Sequence, residues 1–114
     1  MEKMTATNEV PSVKIEQGCI VVLRLSAIDS SAYEESIQVQ DIAQVIIERS
    51  EAGGESIVHW FLSHRKGWTL HFNDQFLGAN SVIQKLQSQL GFSIPEIGSI
   101  AGSGGEGTLV WHSI

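Results

Sequence analysis

Two apolar runs separated by three residues constrain this chain more than any other feature. Ile57 to His64 and Trp68 to Asn73 flank Arg65-Lys66-Gly67. A three-residue hairpin loop places glycine at its left-handed position, where a side chain would clash. With those three residues as the loop, His64 opposes Trp68, Leu62 opposes Leu70 and Trp60 opposes Phe72. Opposed residues share one sheet face. That register gathers Trp60, Leu62, Trp68, Leu70 and Phe72 on one side. It leaves His59, Ser63, Thr69, His71 and Asn73, with Phe61 among them, on the other. A one-residue slip would mix the two sets, so the apolar pattern supports the register independently of the turn.

Upstream, Ile20-Val21-Val22-Leu23 and Leu25 carry the β-branched and large apolar character of a strand. Gly18 marks a bulge or hairpin turn that divides this run from Val13-Lys14-Ile15. Asp29 to Glu35 reads as a polar loop, and Ser36-Ile37-Gln38-Val39 as a short strand. Ile42 to Arg49 fits either a helical face or a strand. The β-branched run Val45-Ile46-Ile47 favours a strand over roughly 43–49, after one helical turn, with a hairpin connection across Ser50 to Glu55.

Past Asn73-Asp74-Gln75 the apolar period changes. Ala79, Val82, Ile83, Leu86 and Leu90 recur every three or four residues, the pattern of an amphipathic helix. Asn80 is its expected cap and Gly91 its expected end. Ser93-Ile94-Pro95-Glu96 resembles a second helix start, with Ile94, Ile97 and Ile100 as its buried side. Gly102 to Gly107 forms a flexible turn. Thr108 to His112 closes as a strand with Val110, and either Leu109 or Trp111, pointing inward.

The expected architecture is therefore α+β. It has a mostly antiparallel sheet of five or six strands, one main helix packed on it and a final C-terminal strand. Residues 1–12 form a flexible N-terminal tail and 13–114 one domain, since 114 residues suit a single core. Hydrophobic residues at 42% are enough to build that core.

Charge and composition exclude several functions. Seven Lys and Arg against thirteen Asp and Glu give −6, which argues against a nucleic-acid binder. No apolar run reaches the roughly 18 residues of a membrane span, and the polar N-terminus lacks a signal-peptide core, so the cytoplasm is the expected location. The single cysteine, Cys19, cannot form an intramolecular disulfide and reads as a buried, inert thiol.

Candidate chemistry is sparse. His59 and His71 fall on the polar face as a diagonal pair, about 7 Å apart at the backbone, and are the ligand, metal or acid–base candidates. Whether any histidine binds metal stays open, because no His-x-His or Cys-x-x-Cys spacing supplies the other ligands. No serine sits in a Gly-x-Ser-x-Gly elbow, and no catalytic residue is assigned. The glycine-rich turn lacks the Lys-Ser/Thr ending of a phosphate cradle. No cofactor is implied. His64, Arg65 and Lys66 form a basic cluster at the hairpin tip, and with Trp60 and Trp68 they are the partner-binding candidates.

The set Val58-His59-Trp60-Phe61-Leu62, Gly78-Ala79, Leu86, Leu90-Gly91-Phe92 and Leu109-Val110-Trp111 resembles a group of small uncharacterised bacterial proteins of unassigned function. There a Trp-x-Leu strand precedes a helix ending in Gly-Phe, and the last strand carries a tryptophan. The strand-rich order with one late helix also looks like pleckstrin-homology-like scaffolds, which place their helix last, whereas here a strand follows it. Neither resemblance implies a catalytic residue.

Together these features point to a non-enzymatic binding or regulatory module, of inhibitor or immunity type, whose acidic surface covers a basic protein partner. The alternatives are a small ligand- or metal-binding domain or enzyme using His59 and His71, and a structural homo-oligomer.

Overall fold

The computed structural model of the chain describes residues 11–26, 28–96, 99–100 and 107–113. Its elements are β1 (Ser12–Glu16), β2 (Cys19–Leu25), β3 (Ala32–Gln38), a 3-10 turn (Val39–Asp41), β4 (Ile42–Ala52), β5 (Glu55–His64), β6 (Thr69–Asn73), α1 (Ala79–Leu90) and β7 (Thr108–His112). The fold is α+β, but the strands divide into two antiparallel sheets where sequence suggested one. β1-β2-β3 form the first and β6-β5-β4-β7 the second. The 3-10 turn breaks the ladder between β3 and β4, so the chain leaves one sheet and enters the other.

The three-residue hairpin has the expected register, with Leu62 opposite Leu70 and Trp60 opposite Phe72. Its loop closes through the His64 N–H, which donates to the Trp68 carbonyl at 2.7 Å, and Gly67 adopts φ +103. Alternation then sorts the side chains. Val45 and Ile47 from β4, Val58, Trp60 and Leu62 from β5, and Leu70 and Phe72 from β6 are buried. They join Val13, Ile20, Val22 and Ile37 of the first sheet and Ala79, Val82, Ile83 and Leu86 of α1 in one apolar cluster. Burying side chains of this size is the main favourable contribution to such a fold, about 1.5–3 kcal/mol each.

The helix spans the residues its periodicity predicts, and its Gly91 end is closed by amide bonds from Gly91 and Phe92 to the Gln87 carbonyl. Its start differs from expectation: Gly78, and not Asn80, occupies the cap position. The reason is tertiary. Leu77 bridges to Ser12, and Val13 donates to the Leu77 carbonyl at 2.9 Å. This brings the Val13 carbonyl so close to Gly78 that a Cβ there would lie 2.4 Å from its oxygen, at φ +87. Only glycine fits both conditions.

Other expectations are corrected. The polar loop read over Asp29 to Glu35 is largely strand, since β3 begins at Ala32. Ile37 is its one buried side chain, so no alternation marks it in the sequence. β4 runs on through Ser50 and Glu51, and the connection to β5 is only Gly53-Gly54. Ser93 to Glu96 forms no helix, and Ile94 is exposed although Ile100 is buried. Ile97 and residues 102–106 of the glycine-rich turn lie outside the described residues. So does the expected tail up to residue 10, while β1 begins at Ser12. In β7, Val110 is an extra residue opposite Val45 and Ile46, and this bulge lets both Val110 and Trp111 pack on the core while Leu109 faces out. Cys19 is half-buried at the start of β2. Among the described residues, no helix is long and apolar enough to cross a membrane.

Candidate functional site

The outward face of the four-stranded sheet collects the polar residues that alternate with the core. It carries Ile46, Glu48 and Ser50 from β4, His59 and Phe61 from β5, His71 from β6 and Leu109 from β7. None of these side chains is buried, because α1 and the three-stranded sheet contribute their apolar residues to the opposite face.

At its centre three side chains form a chain of hydrogen bonds. Ser50 Oγ lies 2.8 Å from His59 Nε2. His59 Nδ1 lies 3.2 Å from His71 Nε2. The two imidazole centroids are 5.4 Å apart with planes only 19° from parallel. The centroid separation exceeds the nitrogen separation by about two ring radii, as expected of ordinary ring bonds. The rings therefore meet edge to edge, nearly in plane, through a hydrogen bond. The two facing nitrogens point at each other, one as donor and one as acceptor, instead of converging on a third point, a geometry that suits a shared proton better than a metal ion. Among the described residues no three His, Cys, Asp or Glu side chains group as a metal site.

In the neutral network the Ser50 hydroxyl can donate to His59 Nε2 while His59 Nδ1–H donates to His71 Nε2, or both bonds can run the other way. One added proton is accommodated well. A charged His59 donates at both ends, to Ser50 Oγ and to His71 Nε2. A second proton would force two N–H groups against each other. His71 is accordingly pushed down to about 4, first by burial, then by the charge of His59 and that of Arg24. The Arg24 guanidinium donates from Nη2 to the His71 carbonyl, capping the outer edge of β6, and Arg24 Nε lies 3.2 Å from Glu35 Oε1 without hydrogen-bond alignment. Phe61 packs on the other side of His71, centroids 4.9 Å apart.

A hydroxyl, an imidazole and a third group that orients it form the connectivity of an activated nucleophile. The clefts of about 550, 240 and 170 Å³ lie elsewhere, and none is lined by Ser50, His59 or His71. On an open face the same network supplies hydrogen-bond donors and acceptors.

The partner candidates are dispersed. Trp60 is 1% exposed, packed on Phe72 and Phe92, which makes it core and takes it out of any accessible surface. Trp68 shares the parity of the apolar face but lies beyond the part that is covered, 44% exposed and stacked on His64 at 4.4 Å. His64 accepts from the Lys66 N–H at Nδ1, 2.9 Å, which leaves its proton on Nε2, 3.7 Å from Asp41 Oδ2. Arg65 donates to the Gln40 carbonyl from Nε and Nη2 at 3.2 and 3.0 Å. The Lys66 side chain has no partner among the described residues, so the basic cluster is partly spent docking the hairpin tip on the 3-10 turn.

Ser50 and Arg24 were not read from the sequence. A two-residue turn at Gly53-Gly54 pairs Glu48 with His59 and would have put Ser50 diagonal to that histidine. Nothing local connects Arg24 with a carbonyl 47 positions away. No protein-family model, curated protein or solved structure matches this chain.

Proposed function

We propose that the protein is a non-enzymatic binding module, of inhibitor or immunity type, that presents the outward face of its four-stranded sheet to a basic protein partner. The observation that carries this reading is the charge of that face. Glu48 and Glu55 sit on it, and among the described residues no Lys or Arg occupies a strand position there. With −6 overall, association would be steered by opposite charge and weakened by salt. His59 and His71, with Phe61 beside them, supply hydrogen bonding and apolar contact near the centre, and Ile46 and Leu109 extend the apolar surface toward β7. The proposal includes a cytoplasmic setting and excludes nucleic acid, as the charge balance suggests.

The test compares proteins captured from host lysate by the wild type and by Glu48→Lys/Glu55→Lys. The wild type should retain a basic polypeptide that the variant loses, with an on-rate that falls steeply over an about tenfold rise in ionic strength. Equal capture by both, or an on-rate indifferent to salt, would refute the reading.

The 2.8 Å contact between Ser50 Oγ and His59 Nε2 favours a second reading, a small acyl-transfer enzyme. Acetylation of Ser50 by p-nitrophenyl acetate, absent in His59→Gln, would support it over the first.

A further inference from the structure

We propose that the cleft at the hairpin tip, which neither histidine of the pair lines, binds a small carboxylic acid with a flat apolar body. The cleft encloses about 550 Å³ between the 3-10 turn, the C-terminal end of α1, Arg65 and the end of β7. That volume lies within the range of small-molecule sites, which pair apolar walls with a few convergent polar groups. Here the walls are Val39, Leu90 and Trp111, of which Leu90 and Trp111 pack against the core from its edge and are half-buried. The bulge at Val110 is what turns Trp111 to this side.

The charge in the cleft is unusual for so acidic a chain. Arg65 lines it, and no Asp or Glu does. The neighbouring carboxylate, Asp41, faces His64. Arg65 takes part in none of the ion pairs among the described residues, which join Lys14 to Glu16, Arg24 to Glu35, Arg49 to Glu51 and His64 to Asp41. Its guanidinium is nevertheless held in place, because Nε and Nη2 both donate to the Gln40 carbonyl and its own amide donates to the Asp41 carbonyl at 3.0 Å. The Nη1 group has no hydrogen-bond partner among the described residues. A positioned arginine without a carboxylate beside an indole wall recognises a carboxylate attached to a flat apolar group. His112 at the rim donates from Nδ1 to the Ser113 carbonyl, 3.0 Å, which leaves Nε2 to face a second polar group of the ligand.

The test is an amide-resolved NMR titration of the full chain with 2-naphthoate, with 2-naphthamide as its uncharged counterpart. Saturable shifts at Arg65, Leu90 and the Trp111 indole, with the amide at least about tenfold weaker, are expected from a charge-assisted contact. Arg65→Gln should lower naphthoate affinity by a similar factor. Because that change also frees the Gln40 carbonyl, Gln89→Glu provides an independent variant: it places a carboxylate on the exposed helix wall, leaves Arg65 intact and should weaken the acid but not the amide. The proposal is overturned if naphthoate gives no saturable shift, if its shifts map elsewhere, if the amide binds equally well, or if a folded Gln89→Glu protein binds the acid unchanged.

Discussion

Removing the titrating ring at position 71 should change how stability depends on pH. His71 is held at about 4, against 6.5 in an unfolded chain, by burial first and then by the charges of His59 and Arg24. A folded-state value below the unfolded one means that the unfolded chain binds the proton first as pH falls. The stabilising contribution is therefore complete above about pH 6.5 and is lost between there and about pH 4. The full shift corresponds to roughly 3.4 kcal/mol, at about 1.36 kcal/mol per unit. His71 is only half-buried, and screening by solvent reduces the expected effect to about 1.5 kcal/mol. His71→Phe keeps a ring beside Phe61, removes the titration, and costs the hydrogen bond to His59, about 1 kcal/mol near neutral pH. Urea unfolding of both proteins at several pH values from about 7.5 to 4.5 measures the difference. Wild type should lose about 1.5 kcal/mol more than the variant across that window, so the gap between them closes or reverses. Parallel loss of stability in the two proteins, or a His71 ring signal that titrates near 6.5, would refute the reasoning.

Three further substitutions probe the fold. Gly78→Ala drives a Cβ to 2.4 Å from the Val13 carbonyl at φ +87 and should cost about 2–3 kcal/mol, with faster amide exchange at Val13 than elsewhere in β1. Gln17→Asn should stabilise by about 0.5 kcal/mol, since Gln17 has φ +54 in a two-residue hairpin turn with Gly18, the position where Asn-Gly is favoured; an unchanged denaturation midpoint would contradict this. Leu86→Ala removes a fully buried side chain of the shared core and should cost about 2–5 kcal/mol by thermal or urea unfolding.

The elements that could be read in advance are those whose signal is local. The 64–68 hairpin follows from a loop glycine and two alternating runs. The helix over 79–90 follows from its 3.6 period, and the last strand from Thr108 to His112 from β-branched and aromatic residues. β3 differs from its expected loop for a related reason. Tyr33, Glu34 and Glu35 face solvent, and a strand paired with β2 whose one buried side chain is Ile37 shows no apolar period in its residues. Gly78 was missed as the helix cap because its constraint comes from Val13, a residue 65 positions earlier, and not from its neighbours.

The same division holds for the candidate site. Period-two alternation, with the hairpin register, was enough to put His59 and His71 on one face, because in a strand the parity of a residue sets its side. Whether that parity ends in burial or exposure depends on which surfaces meet. Trp60 and Trp68 have the same parity, yet Trp60 lies under α1 and the first sheet while Trp68 lies past their edge. Ser50, Arg24 and the cleft beside Arg65 depend on how β4, β2, the 3-10 turn and β7 come together. Those contacts join residues far apart in the chain, and local propensity carries no term for them. Residue type and spacing decide which face a side chain occupies, and the packing of distant elements decides what it meets there.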